Sequence, residues 1–228
     1  MGFEQFAQEN GLIIDHLVHG RWTRVPTVDH PNSRNGAYIY DGNSGAVQNW
    51  AVHDKPETWK NTDDTYVQPK DYKERIKKSV EEKLRLQEKA SAKANVLITK
   101  AIKGRHPYLL KKGFRGKGLV WNSLLLIPMQ KDGIVVGCQL IDEDGNKRFL
   151  SGQLTKGASA VLGKRGIHFV CEGYATGLSL LRVMNKLDIN CQIHIAFSAN
   201  NILEIAKDLN CIIIADNDAT GLRIAKNS

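Results

Sequence analysis

The chain has 228 residues, 42% of them hydrophobic and 25% charged, which is enough to bury a sizeable core in one or two domains of an ordinary globular protein. No apolar stretch approaches the roughly 18 to 20 residues of a membrane helix, and the polar start has no signal-peptide pattern, so a cytoplasmic protein without a membrane partner is expected. The net charge of +8 favours a polyanionic partner, and it is concentrated: residues 60–117 hold 17 Lys and Arg against 7 Asp and Glu.

Residues 1–68 are rich in Gly, Asn and aromatics and read as an N-terminal β-rich domain. A short helix over 2–10, ending at Gly11, precedes strands over 21–26, 36–40 and 45–52, with a hairpin turn at Asp41-Gly42-Asn43-Ser44-Gly45. Arg21, Trp22, Arg24 and Arg34, with Tyr38 and Trp50, interleave cations and aromatics as a surface that stacks on bases would. A packed small β core accounts for the same aromatics. The segment has no cysteine, and His16, His19, His30 and His53 do not replace thiolates convincingly, so no zinc is predicted.

Residues 69–104 read as a basic helical connector. Tyr72, Ile76, Val80 and Leu84 recur every four residues, Glu74 precedes Lys78 by four, and Gly104 with Pro107 closes the run. Either one long helix or two with a break near Ser91 satisfies the pattern, and either a solvated face or contact with nucleic acid explains its charge.

Residues 105–166 read as a mixed, β-rich subdomain, with strands over 123–129, 134–141 and 147–150 joined at Asp132-Gly133 and Asp144-Gly145-Asn146. Residues 167–228 alternate strand and helix: strands over 167–171, 192–197 and 211–215, helices over 177–186 and 202–209, and a further helix from Gly221. Leu178, Leu181 and Met184 would face inward. The fold class expected is α/β here and α+β overall, with a parallel sheet carrying its functional groups at the carboxyl ends of the strands. Cys138, Cys171, Cys191 and Cys211 each sit in apolar surroundings typical of core cysteines.

Two of those strand ends are acidic. His168-Phe169-Val170-Cys171-Glu172-Gly173-Tyr174-Ala175-Thr176-Gly177 and Cys211-Ile212-Ile213-Ile214-Ala215-Asp216-Asn217-Asp218-Ala219-Thr220-Gly221 are apolar runs that stop in carboxylates. A strand ending in Asp-x-Asp would set both carboxylates on one side of the backbone. Like charges so close need a cation, and oxygen ligands suit Mg²⁺ or Mn²⁺. Gly173 and Gly221 would let the backbone turn sharply beside the acids. Asn200 and Asn201 would cap a helix starting at Ile202 or reach toward the site.

Glu-Gly-Tyr-Ala-Thr-Gly at 172–177 and Asp-Asn-Asp-Ala-Thr-Gly at 216–221 resemble the two signature motifs of the Toprim domain, shared by bacterial-type primases, type IA and II topoisomerases and some nucleases. The run His106-Pro107-Tyr108-Leu109-Leu110-Lys111-Lys112-Gly113-Phe114 is similar to the primases of bacteriophages and conjugative plasmids. So are Leu125-Leu126-Ile127-Pro128-Met129 and Lys147-Arg148-Phe149-Leu150-Ser151-Gly152. The resemblance covers about 105–226.

It implies a DNA primase, a nucleotidyltransferase that makes RNA primers on a single-stranded DNA template from ribonucleoside triphosphates, in the cytoplasm of a host cell, with a replicative helicase as a further partner. Glu172 would act on the attacking 3′-hydroxyl or help hold a metal, and Asp216 and Asp218 would bind Mg²⁺. Lys112, Lys147, Arg148 and Lys156 would contact template or nucleotide, and residues 1–68 would recognise the template, with Arg21, Trp22, Arg24 and Arg34 as candidate DNA contacts. A Toprim fold normally continues through another strand and helix, so a C-terminally incomplete domain over 167–228 is the expectation. The Asp-x-Asp-x-Thr pattern also resembles the nucleophile motif of haloacid-dehalogenase-type phosphatases, which needs a Lys and further acids downstream. A Toprim nuclease, a topoisomerase, and an inactive DNA-binding or regulatory module are the other readings. No Walker-type sequence is present.

Overall fold

The computed structural model describes residues 1–53, 55–61, 72–217 and 221–222. Its described residues form five helices and thirteen strands in three sheets, an α+β protein. The chain divides into two compact units, Met1–Glu81 and Glu82–Ser228. No helix among the described residues is long and apolar enough to cross a membrane.

In the first unit, α1 (Phe3–Glu9) precedes an antiparallel sheet of β1 (Thr23–Val25), β2 (Gly36–Tyr40), β3 (Ser44–Asn49) and β4 (Glu57–Lys60), in that order. The Asp41 carboxylate accepts the N–H groups of Asn43 and Ser44 and builds the expected β2–β3 turn. Phe3 stacks on Tyr40 with ring centroids 4.6 Å apart and covers Gly45, where a side chain would collide with its ring. Tyr38 is fully buried, its hydroxyl donating to the His16 carbonyl and accepting the Val18 N–H. Tyr38 is therefore a core residue, whereas Trp22 and Trp50 stay half exposed.

Helix α2 (Tyr72–Lys100) runs unbroken through Ser91, whose hydroxyl donates to the Val135 carbonyl at 2.6 Å. Of the expected apolar stripe, Val80 and Leu84 are exposed and the side chains of Tyr72 and Ile76 lie outside the described residues, while Ala90, Ala94 and Leu97 lie against Leu126, Cys138 and Leu140. Small side chains let the helix approach a sheet closely, a signal that a scan for large apolar residues passes over. The helix stops at Lys100, before the predicted Gly104, because the chain turns into β5 (Ile102–Gly104).

In the second unit, β5, β6 (Gly118–Trp121), β7 (Leu124–Lys131), β8 (Ile134–Ile141) and β9 (Lys147–Phe149) form an antiparallel sheet in that order, with α3 (Pro107–Lys111) between β5 and β6. Asp132 and Gly133 both adopt positive φ, 52° and 76°, as a two-residue hairpin turn requires. The next sheet joins β10 (Ala160–Gly163), β11 (Ile167–Cys171), β12 (Cys191–Ile195) and β13 (Cys211–Ile214) in the order β10-β12-β11-β13, with α4 (Tyr174–Lys186) and α5 (Ala199–Ala206) between the strands. The strands β12, β11 and β13 are parallel, as the alternating pattern implies, and β10 is an antiparallel edge. Strand alternation sends Phe169, Cys171, Ile193 and Ile195 into a core with Leu125, Ile127 and Ile141, against which Leu178, Leu181 and Met184 of α4 pack. Val170, Ala196 and Ile213 pack with Ile202 on the other face.

Candidate functional site

The site is defined by strand register. In the parallel ladder Cys171 pairs with Ile214 and with Ile195, so three chain segments leave the sheet side by side at one end. Glu172 follows β11, Asp216 lies two residues beyond β13, and Ala196 and Phe197 follow β12. The Cys171 and Glu172 carbonyls accept the N–H groups of Ala196 and Phe197 at 2.8 and 2.9 Å, which fixes the Glu172 backbone to the β12 exit. Burial, with the nearby Asp216 charge, pushes the Cys171 thiol up to about 12. The Asp216 carboxylate thus acts across the strand at the residue preceding Glu172.

Strand β13 ends at Ile214, one residue before the predicted end, so Asp216 stands in the following loop and strand alternation does not orient it. Asp218 lies outside the described residues. The glycines beside the acids differ. Gly173 has φ −101°, open to any residue, and α4 begins directly after it, three residues earlier than expected. Gly221 is buried against the Asp216 backbone, where an added Cβ would strike the Asp216 carbonyl oxygen.

Around this end stand aromatic groups, several of them within the quoted motifs, for which the sequence offers no role. Buried His106 caps α3, its Nδ1 accepting the Tyr108 N–H and its Nε2 lying 3.0 Å from the Ser123 carbonyl. A ring that accepts at Nδ1 carries its hydrogen on Nε2, so both contacts are satisfied by one neutral tautomer. Tyr108 is buried, and its hydroxyl has no hydrogen-bond partner among the described residues. Burial raises the Tyr108 phenol, and burial together with Tyr108 raises that of Tyr174 at the start of α4. Lys147 Nζ lies 6.0 Å from the Tyr108 ring, and Phe149, two residues on along β9, meets Phe197 edge to face.

Of the predicted cations, Lys147 faces Tyr108, while Arg148 and Lys112 are exposed. Lys156 pairs at 3.5 Å with Glu204, which Lys207 also holds at 2.8 Å. Asn201 is not a cap at Ile202. Helix α5 begins at Ala199, and the buried Asn201 amide instead bonds Gly157, Ala158 and Ala196. In the first unit Arg21, Trp22, Arg24 and Arg34 are exposed, with the Arg24 guanidinium 3.9 Å from the centre of the Trp50 ring.

Among the described residues no group of three His, Cys, Asp or Glu side chains is placed to hold a metal ion. The donors at the strand ends, Glu172 and Asp216, are carboxylate oxygens, which suit Mg²⁺ or Mn²⁺ better than a thiophilic metal. No family model matches the chain, and no solved structure matches it.

Proposed function

We propose that the protein is a Toprim-type DNA primase of the phage and conjugative-plasmid kind, extending RNA primers on single-stranded DNA. The observation that carries this reading is the Cys171–Ile214 register, by which Glu172 and Asp216 leave adjacent parallel strands at the same end. Ligands of open α/β sheets gather at that end. In this reading residues 1–68 serve template recognition and 105–228 the catalytic core.

Glu172 and Asp216, with Asp218, would hold Mg²⁺ or Mn²⁺, whose chemistry is to neutralise the triphosphate and the leaving pyrophosphate. Where Glu172 does not ligate the metal, it would accept the proton of the primer 3′-hydroxyl as that oxygen attacks the nucleotide and pyrophosphate leaves. Lys147, exposed over the Tyr108 ring, and Lys156 offer ammonium groups to phosphates of nucleotide or template. The buried core beneath Glu172 keeps the β11 and β12 exits fixed while these charges gather.

The test is primer synthesis on single-stranded DNA with labelled ribonucleotides and Mg²⁺ or Mn²⁺. Glu172→Gln and Asp216→Asn each lower incorporation at least a hundredfold while DNA binding persists. Equal incorporation by wild type and both variants would falsify the assignment. DNA binding without incorporation by the wild type favours a primase-like binding module, the reading that the exposed Arg24–Trp50 stack supports.

A further inference from the structure

Beside the Glu172 carbonyl lies a cavity of about 470 Å³ between β9 and the β12–α5 junction. Its walls include Phe149, Lys156, Phe197, Ser198, Asn200 and Glu204. The Phe149 and Phe197 rings stand 5.9 Å apart at 87°, and Phe149 is 41% exposed. In an edge-to-face pair the ring that presents its edge has neither face covered by its partner, so aromatic surface is left for a third ring.

Phe197 holds φ at +66°, a left-handed conformation that a phenylalanine adopts only against a steric cost. Its N–H bond to Glu172 and the β12 exit hold it there. A glycine at this position would meet the backbone demand without strain; the phenylalanine ring packs partly against the core and presents the rest of its surface to the cavity. At the rim the exposed Lys156 ammonium lies 3.5 Å from Glu204, a carboxylate that Lys207 also holds at 2.8 Å. Ser198, before α5, makes no side-chain cap bond to the helix. The cavity thus combines apolar aromatic walls with one exposed ammonium group, Lys156, at its rim, a pairing that suits a planar ring joined to a phosphate.

We propose that this cavity binds a nucleobase, stacked against Phe149 and Phe197 with its phosphate toward Lys156. The choice of a nucleobase over other planar anions rests on the nucleotidyl-transfer reading of Glu172 and Asp216. The base belongs either to a free nucleotide or to a single strand, and the two sources share one chemistry.

The experiment uses the whole chain in EDTA, so that no metal site is engaged. Two probes are titrated: 2-aminopurine riboside triphosphate, and an oligothymidine carrying one 2-aminopurine. Stacking quenches the fluorescence of the probe that binds, which identifies the source of the base. Phe149→Ala and Phe197→Gly each weaken that binding about tenfold. Melting temperatures are read beside binding: Phe149 is exposed, so Phe149→Ala leaves the melting temperature nearly unchanged, whereas Phe197 packs partly against the core and its removal lowers it. No quenching by either probe, or quenching that both substitutions leave unchanged, overturns the proposal. If quenching depends on the two phenylalanines while Glu172→Gln and Asp216→Asn leave primer synthesis intact, the pocket stands and the transfer-site reading falls. Loss of synthesis in those variants without Phe-dependent quenching sinks the pocket alone.

Discussion

Oδ1 of Asn201 accepts the backbone N–H of Gly157 at 2.7 Å, while its Nδ2 donates to the carbonyls of Ala158 and Ala196 at 2.8 and 2.9 Å. One buried amide thus ties the loop before β10 to the exit of β12, where Phe197 begins. Asn201→Ala leaves three backbone groups short of a partner, and each unmet buried group costs about 1–3 kcal/mol. The expected loss is about 3 kcal/mol, read as a lower urea midpoint at unchanged slope. Asn201→Asp keeps the Gly157 bond but turns an acceptor toward two carbonyls, so it is at least as damaging at neutral pH. A loss under about 1 kcal/mol in both variants would mean that the Asn201 amide does not clamp the two segments.

That clamp marks where the sequence stops being readable. The β11–α4–β12–α5–β13 order is legible because apolar runs and helical spacing alternate, and β11 occupies its expected residues. Asn201 reads as a cap because Asn favours helix starts, yet its burial and its partner Gly157, far away in the chain, belong to tertiary structure. Four-residue strands such as β4 and β10 carry too little alternation to stand out, and β10 is ordered by pairing with β12. Glu172 and Asp216 are legible as acids that end apolar runs. Phe149 and Phe197 are not, because nothing local says that their two sheets bring the rings together.

The rings of His168 and His194, both partly buried, form a second pairing, Nδ1 to Nε2 at 3.1 Å. Burial, and then the charge of His168, hold His194 below the usual histidine value. Above that usual value, near pH 6.5, both folded and unfolded chains leave His194 neutral. As pH falls below roughly 6.5 the unfolded chain takes up the proton first, so stability falls with pH. Urea midpoints at pH 7.5, 6.5 and 5.5 should drop across the last interval, and His194→Gln should flatten that drop. An equal drop in the variant would assign it to other groups.

Gly221 and Gly173 separate a structural glycine from a permissive one. An alanine at 221 drives Cβ into the Asp216 carbonyl, so the loop that carries Asp216 has to move. At 173 the nearest atom to an added Cβ is Thr176 Oγ1, at 3.4 Å, an ordinary contact. Gly221→Ala should cost about 1–3 kcal/mol and lower primer synthesis at least tenfold. Gly173→Ala should change stability by less than about 1 kcal/mol. Thermal melts paired with the incorporation assay read both, and equal behaviour of the two variants would contradict the contrast.

The thiols offer a check on burial without mutation. Cys138 and Cys171 are buried and both are pushed up to about 12, chiefly by burial, whereas Cys211 is partly exposed. Thiolate is the reacting form, so at pH 8 a maleimide should label Cys211 first, and Cys138 and Cys171 only on unfolding. Peptide mapping after short exposure reads the order. Early labelling of Cys171 would mean that the end of β11 opens, undoing the fixed Glu172 backbone.

The first unit yields the last test, because its aromatics divide by burial. Tyr38 is fully buried, and its hydroxyl serves the His16 carbonyl and the Val18 N–H, so Tyr38→Phe should cost about 1–2 kcal/mol and leave affinity for single-stranded DNA unchanged. Trp50 is half exposed beneath the Arg24 guanidinium, a stack worth only about 0.5–1 kcal/mol to an exposed pair, so Trp50→Ala should barely alter stability. If that pair is a platform for bases, the same substitution weakens binding of oligothymidine about tenfold, as the loss of one stacked base would. Arg24→Ala should weaken it too and make the dependence on salt less steep by removing a cation. Fluorescence anisotropy at several salt concentrations reads both effects. Unchanged affinity in Trp50→Ala and Arg24→Ala would leave the stack a feature of the unit's own surface and move DNA contact to the basic stretch over residues 60–117.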